Sequence, residues 1–310
     1  MKTLTVFTPT YNRSYLLDRG YDALCRQTCT DFCWLVIDDG STDLTSELVK
    51  SWLSENSINT VENGFEGYSK DAPWLHIRYC FKENEGLHSG YNKAVELMDT
   101  EICVCIDSDD YMPENSVEII LKNWEICRTK GLIGVVGRDY TTDGHLIGTP
   151  LPKVDSSTIT ELMDKYQHKG DKKIVMRVDL LKQIGQMPTY KNEKNFNPIY
   201  MILQLDQFGK YKLIEENLCF VDYQDTGMAA NIFKQFVNSP NSFCALRLLY
   251  LSLPETTWKW KLKNLIHLSS SSFIAGNLSW MSKCKFPVLS YLLSPIGLVL
   301  AFYIKYRANK

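Results

Sequence analysis

The sequence predicts an α/β fold: a mostly parallel sheet flanked by helices, followed by a helical C-terminal tail. Three observations lead there. Short apolar runs alternate with stretches of helical spacing over the first 140 residues. The runs are continuously apolar, as for strands buried on both faces. The chain then changes texture, because residues 241–310 hold nine Lys/Arg and one acid, Glu255, a net of +8 within a formal net charge of −2.

The elements follow in order. A β-rich run over 3–8 ends at Pro9, and Ser14 is placed to cap a helix over 15–28 that carries Leu16, Leu17, Tyr21 and Leu24 on one face. The run 33–37 is a buried strand that stops at Asp38-Asp39-Gly40, with Ser41 or Thr42 capping the next helix. Residues 54–73 are polar and rich in Gly and Asn, which predicts a surface loop. A strand over 75–81, a helix over 86–98 and a buried strand over 102–106 come next. Asp107-Ser108-Asp109-Asp110 follows, and Pro113 opens a helix running to about 128. A strand over 133–138 leads to a hairpin turn at Asp143-Gly144. Residues 150–228 are less regular, with helices expected near 155–168, 178–184 and 196–207 and strands near 172–177 and 211–222. The expected division is a domain over 1–228, with halves 1–140 and 141–228, and a tail over 229–310.

Composition narrows the function. Aromatic residues at 12% and 17 Gly without a period exclude disorder and collagen, and the net charge of −2 argues against a nucleic-acid partner. The ten Cys do not read as a disulfide framework, since the N-terminus lacks the apolar core of a signal peptide. A reducing, cytoplasmic compartment is expected. Cys103 and Cys105 fall in an apolar strand, and the evenly spaced Cys25, Cys29 and Cys33 have no His cluster to complete a metal site.

The tail carries two membrane signals. Trp258, Leu262, Leu265 and Ile266 lie at helical spacing with Lys259, Lys261 and Lys263 interleaved, which suits either a membrane-surface helix or a helix packed on the domain with solvated lysines. Residues 286–304 are uncharged between Lys285 and Lys305. At ~1.5 Å per residue they just reach across ~30 Å of hydrocarbon. Pro287, Pro295 and Gly297 favour a kinked or re-entrant insertion equally well. The expected partner is an anionic membrane surface, and the expected location is peripheral or monotopic at the inner face of the cell membrane.

Chemistry gathers at the strand ends. Thr8-Pro9-Thr10-Tyr11-Asn12-Arg13, Asp38-Asp39-Gly40-Ser41-Thr42-Asp43 and Asp107-Ser108-Asp109-Asp110 each follow an apolar run, where an open parallel sheet binds its ligands. Aspartates on one rim repel one another unless cations or donors lie nearby. Carboxylates without His or Cys suit Mg²⁺ or Mn²⁺, which commonly take their other ligands from a diphosphate. The residues therefore point to a metal-dependent nucleotide or nucleotide-sugar site. Turn and cap roles account for Ser41 to Asp43, but not for Asp38 and Asp107, which directly end buried strands.

These motifs, with Asn84-Glu85-Gly86 and Asn92 between them, resemble in order and spacing the family 2 glycosyltransferases of GT-A (Rossmann-like) fold, over residues 3 to about 138. Arg177-Val178-Asp179 and Asp225-Thr226-Gly227-Met228 resemble bacterial capsule and surface-polysaccharide members. The resemblance implies roles. The loop with Thr8, Pro9, Tyr11, Asn12 and Arg13 would wrap the nucleotide, most often a UDP-sugar. Asp38, beside Asp39, would accept from the base, Asp107 with Ser108 would hold the ribose side, and Asp109 would bind the divalent metal. Asn84, Gly86, His88 and Asn92 belong to the donor segment, where many members carry Lys or Arg. The chemistry implied is inverting transfer of a sugar to a lipid-linked or glycan acceptor, with a carboxylate base. Members carry a Glu after Phe-x-Pro, but Ile199 follows Phe196-Asn197-Pro198 here, so Glu193 is the candidate base and Asp179 the reserve. A sugar nucleotidyltransferase, or a non-catalytic nucleotide-sugar-binding scaffold, are the alternatives.

Overall fold

The computed structural model describes residues 2–222 and 231–310, so Asp225-Thr226-Gly227-Met228 and the expected boundary at 228 lie outside the described residues. Chain order is β1 (Leu4–Thr10), α1 (Ser14–Cys25), β2 (Phe32–Asp38), α2 (Thr45–Ser51), β3 (Asn59–Val61), β4 (Gly64–Tyr68) and β5 (His76–Phe81). Then come α3 (Leu87–Leu97), β6 (Ile102–Cys105), α4 (Ser116–Lys130), β7 (Gly134–Thr141), β8 (Ser156–Ser157), α5 (Ile159–Asp164), β9 (Lys172–Arg177) and α6 (Val178–Ile184). The chain continues through α7 (Ile199–Gln204), β10 (Tyr211–Val221), α8 (Ile232–Asn238), α9 (Pro240–Ser252) and α10 (Trp258–Ala275) to α11 (Ser279–Ser282), α12 (Pro287–Leu292) and α13 (Ser294–Ala308).

The described strands form one ten-stranded sheet in the order β3-β4-β5-β2-β1-β6-β9-β7-β10-β8. β5, β2, β1 and β6 run parallel, and β7 pairs parallel with β10. β9 runs against both of its neighbours, β6 and β7. Its reversal has a direct effect on the site: its first residues, not its last, arrive at the edge where the parallel strands end. Residues 54–73 are not a simple surface loop, because β3 and β4 form a hairpin that extends the sheet antiparallel to β5.

The continuous apolar runs have the predicted cause. Leu4, Val6, Trp34, Val36 and Ile77 face Leu17 and Tyr21 of α1 and Ile120 and Trp124 of α4. Phe7, Leu35 and Ile37 face the other side, against Tyr91, Ala94 and Val95 of α3. Neither Ser14 nor Ser41 nor Thr42 caps its helix. Asp43 does both tasks, accepting from the Ser14 backbone N–H at 3.0 Å and the Thr45 backbone N–H at 3.1 Å. All ten cysteines are free.

The tail is not a detached appendage. Leu246 of α9 and Leu265 and Leu268 of α10 are buried in the same cluster as Leu181, Phe196 and Met201. α13 meets α10 where Gly297 lies against Ser269, so closely that a Cβ at 297 would sit 2.5 Å from the serine side chain. The apolar segment 286–304 breaks at Leu293 into α12 and α13, and no helix among the described residues is long and apolar enough to cross a membrane.

Glu193, the expected base, is what fastens this tail. Its carboxylate is buried and accepts four hydrogen bonds at the N-terminus of α9: from the Asn241 N–H at 2.9 Å and Nδ2 at 2.8 Å, and from the Ser242 N–H at 2.7 Å and Oγ at 2.6 Å. A carboxylate there satisfies orphan N–H groups and the helix dipole together. Glu193→Gln, which replaces one accepting oxygen by a donating amide, should destabilise the protein by about 2 kcal/mol in urea unfolding.

Candidate active site

A cleft of about 590 Å³ opens at the edge where β1, β2 and β6 end. Pro9, Thr10, Tyr11 and Arg13 form one lip. Asn12, at φ 51°, is held in its turn by Thr42, whose N–H donates to the Asn12 Oδ1 at 2.7 Å, while the Asn12 N–H donates to the Ser41 Oγ at 2.8 Å. Thr8 lies beneath the lip, where its hydroxyl accepts from the Trp34 indole at 3.0 Å. Asn12 and Thr8 therefore shape the lip without lining the cleft.

The two aspartates at the end of β2 divide. Asp38 is 1% exposed and is not part of the cleft wall, because its oxygens accept from the Tyr79 hydroxyl at 2.6 Å and the Ser41 N–H at 2.7 Å. Asp38, the residue expected at the base, braces β2 against β5 here and stands outside the cleft lining. Asp39 does line the cleft. It accepts from the Lys82 ammonium at 2.8 Å, the Glu85 N–H at 3.1 Å and the Gly86 N–H at 2.7 Å, and so pulls the Asn84–Gly86 turn against the site. Gly86 has φ 98°, and a Cβ there would meet the Lys194 carbonyl at 1.8 Å. Only glycine permits that approach, and it brings Lys194 to the wall beside Asn84.

His88 and Asn92 also serve the frame rather than the cleft. His88 is buried beside Phe196, ring centres 6.0 Å apart, and burial pushes its pKa down. Asn92 clasps the backbone of Met187, accepting from its N–H at 2.8 Å and donating to its carbonyl at 3.0 Å. The helix spacing of α3 put both on the inward face.

Asp107, Ser108, Asp109 and Asp110 all line the cleft, in a turn closed by the Asp110 N–H donating to the Asp107 carbonyl at 3.0 Å. Asp109 pairs with Arg13 at 2.8 Å. Asp110 is buried and pairs with Lys173 at 3.0 Å; the same ammonium stands 3.9 Å from Asp139. Neither oxygen of Asp139 has a hydrogen-bond partner. Burial pushes the carboxyl of Asp110 up to about 6 and that of Asp139 to about 7, although Lys173 pulls both the other way.

Asp139, Asp171, Lys172, Lys173 and Lys194 are cleft residues that the sequence motifs do not reveal. The available signal was Lys173 at the head of the apolar run 174–176, a lysine in a strand that needs a carboxylate. The reversal of β9 explains the rest: its N-terminal end delivers Asp171 to Lys173 to the cleft, while its C-terminal end carries Asp179 to the opposite edge, beside the start of β6. There Asp179 is tied to Arg177, Nε at 3.0 Å, so the reserve base is away from the site.

The placement of Asp139 has a pH signature. A carboxyl near 3.9 when unfolded and about 7 when folded costs stability as pH rises through that window, and the cost is complete above it. Asp139→Asn should therefore raise the melting temperature at about pH 8 and change it little at about pH 4, as read by scanning calorimetry.

Comparison with known proteins agrees with this geometry. Chondroitin synthase of Pasteurella multocida is 25% identical over 221 residues, which cover 70% of this chain and 20% of that protein. Validoxylamine A glucosyltransferase of Streptomyces hygroscopicus subsp. jinggangensis is 46% identical over 109 residues, 34% of this chain and 21% of that protein. The chain thus spans about a fifth of the length of these relatives. Among solved structures, S. aureus TarS 1–349 superposes over 100% of this chain and 92% of its own with a TM-score of 0.55 at 16% identity. The mannosyltransferase PcManGT of Pyrobaculum calidifontis, solved with GDP-Man and Mn²⁺, covers 99% of this chain and 83% of its own, with a TM-score of 0.51 at 16% identity. The family described as Glycosyl transferase family 2 matches residues 5–185, more than half of the chain, so the protein belongs to that family, and its fold is of GT-A type.

Proposed function

We propose that the protein moves a sugar, with inversion, from a nucleotide donor, a UDP-sugar, to a lipid-linked or glycan acceptor in bacterial-type polysaccharide synthesis. The observation that carries this reading is the convergence of the Pro9–Arg13 lip, the Asn84–Gly86 turn and Asp107 to Asp109 on one cleft of about 590 Å³. TarS has been solved with UDP and with UDP-GlcNAc, which supports the choice of donor.

The donor set fits a hard cation, Mn²⁺ or Mg²⁺. Asp107 and Asp109 offer carboxylate oxygens to the cleft, while no group of three His, Cys, Asp or Glu among the described residues is arranged to hold a metal alone. Such a pair holds an ion whose remaining ligands are diphosphate oxygens. A bound divalent cation supplies Lewis-acid stabilisation of the departing diphosphate. In this reading Arg13 and Lys194 supply further positive charge toward the phosphates, and Tyr11 and Asn84 bound the nucleotide. Asp171 is an exposed carboxylate of the cleft wall, and in this reading it takes the proton of the attacking hydroxyl. Asp109→Ala should abolish metal-dependent transfer, and Asp171→Asn should lower kcat roughly 100-fold or more with donor KM retained. A panel of nucleotide sugars assayed with Mn²⁺ and with a chelator reads both; full activity of either variant refutes its role.

The tail supports work at the inner face of a membrane. Gly297, Ala301 and Ile304 of α13 face the domain, whereas Val288, Leu292, Val299 and Phe302 are each about 70% exposed. Lys285, Lys305, Arg307 and Lys310 border this apolar face. An uncovered apolar strip edged by cations suits insertion to headgroup depth in an anionic bilayer, without spanning it. The full chain should float with phosphatidylglycerol vesicles, and Val299→Glu with Phe302→Glu should prevent it. Failure of the unaltered chain to float removes the membrane reading.

A further inference from the structure

Resting on the donor-site reading above, we infer that Arg13 is a resident counter-ion of the metal position, exchanged for the divalent cation when the diphosphate arrives, so that cation and nucleotide bind as a cooperative pair. The geometry is specific. The Arg13 Nη1 donates to the Asp109 Oδ2 at 2.8 Å and lies 3.4 Å from the Ser108 Oγ. The pair is partly shielded, the two side chains being 28% and 16% exposed. The backbone of Asp109 is tied in place, because its carbonyl accepts from Arg19, whose guanidinium also pairs with Asp222 at 2.9 Å. The root of Arg13 is equally fixed by the Asn12 turn clasped to Ser41 and Thr42. The long side chain between these fixed ends is the part free to turn.

A divalent cation that takes the Oδ2 of Asp109 displaces a guanidinium already in contact with it. Asp107 is poor compensation, since two carboxylates leave most of the coordination shell unfilled. A diphosphate changes both sides of the exchange. It offers the guanidinium a more highly charged, bidentate partner, and it offers the cation the oxygens that the protein lacks. Each ligand therefore raises the affinity of the other by the same factor, as linkage requires.

The experiment is titration of Mn²⁺ into the full-length protein, with free Mn²⁺ followed by electron paramagnetic resonance, with and without UDP. The unaltered chain should bind Mn²⁺ at least roughly tenfold more tightly when UDP is present. Arg13→Gln should bind Mn²⁺ alone several-fold more tightly than the unaltered chain and lose most of the enhancement by UDP. Arg13→Lys, which keeps the charge, should stay close to the unaltered chain for Mn²⁺ alone and shows that the effect is one of charge rather than of damage to the loop. Equal Mn²⁺ affinity in Arg13→Gln and the unaltered chain without UDP overturns the exchange. Absence of UDP binding by the unaltered chain with Mn²⁺ present overturns the nucleotide-sugar reading itself.

Discussion

Mutual repulsion among carboxylates is the constraint around which the rest of the site is arranged. Asp39, Asp107, Asp109, Asp110 and Asp139 share one cleft wall, and three basic side chains interleave them: Lys82 at Asp39, Arg13 at Asp109, and Lys173 between Asp110 and Asp139. Each comes from a different part of the chain, so the rim is assembled only when β1, β5 and β9 are all in register. The charges are not equally satisfied. Asp39 is saturated by donors and acts as a brace, while Asp139 is covered and lacks any donor. A buried carboxylate without hydrogen-bond donors is costly, even with an ammonium 3.9 Å away. Five carboxylates against three basic side chains leave the wall with negative charge beyond what those lysines and the arginine neutralise.

The helices after residue 231 extend this frame instead of hanging from it. α9 begins on the Glu193 carboxylate, α10 shares the core with α6 and α7, and α13 closes on α10 through Gly297. The outward residues of α12 and α13 are left without cover, and their neighbours are basic rather than acidic. On α13 the chain itself covers Gly297, Ala301 and Ile304 and leaves Val299 and Phe302 open.

Much of this was legible in the residues. The alternation of apolar runs and helical stretches placed most elements of the first half, and the positions of Thr10 to Arg13, Asn84, Gly86 and Asp107 to Asp109 at strand ends placed the cleft. What escaped was whatever depended on direction or on tertiary partners. Strand spacing does not reveal that β9 runs backward, so it does not bring Lys172 and Lys173 to the cleft or show that Asp179, the reserve base, lies at the far edge of the sheet. Periodicity places His88 and Asn92 on one face of α3, but does not say that this face meets Phe196 and Met187. Glu in a polar turn reads as exposed, and nothing local announces that Glu193 meets the start of a helix nearly 50 residues later. The hairpin β3–β4 was hidden by its Gly and Asn content, which signals turns more loudly than edge strands.

The adjacency of Glu193 and Lys194 has a mechanical consequence. One residue carries the root of the helical tail, and the next presses its carbonyl against Gly86 at the rim of the cleft. A displacement of the tail therefore acts on a lever one peptide long, whose short arm ends at the turn that lines the cleft. The seat of the tail and the rim of the cleft turn on a single hinge pin.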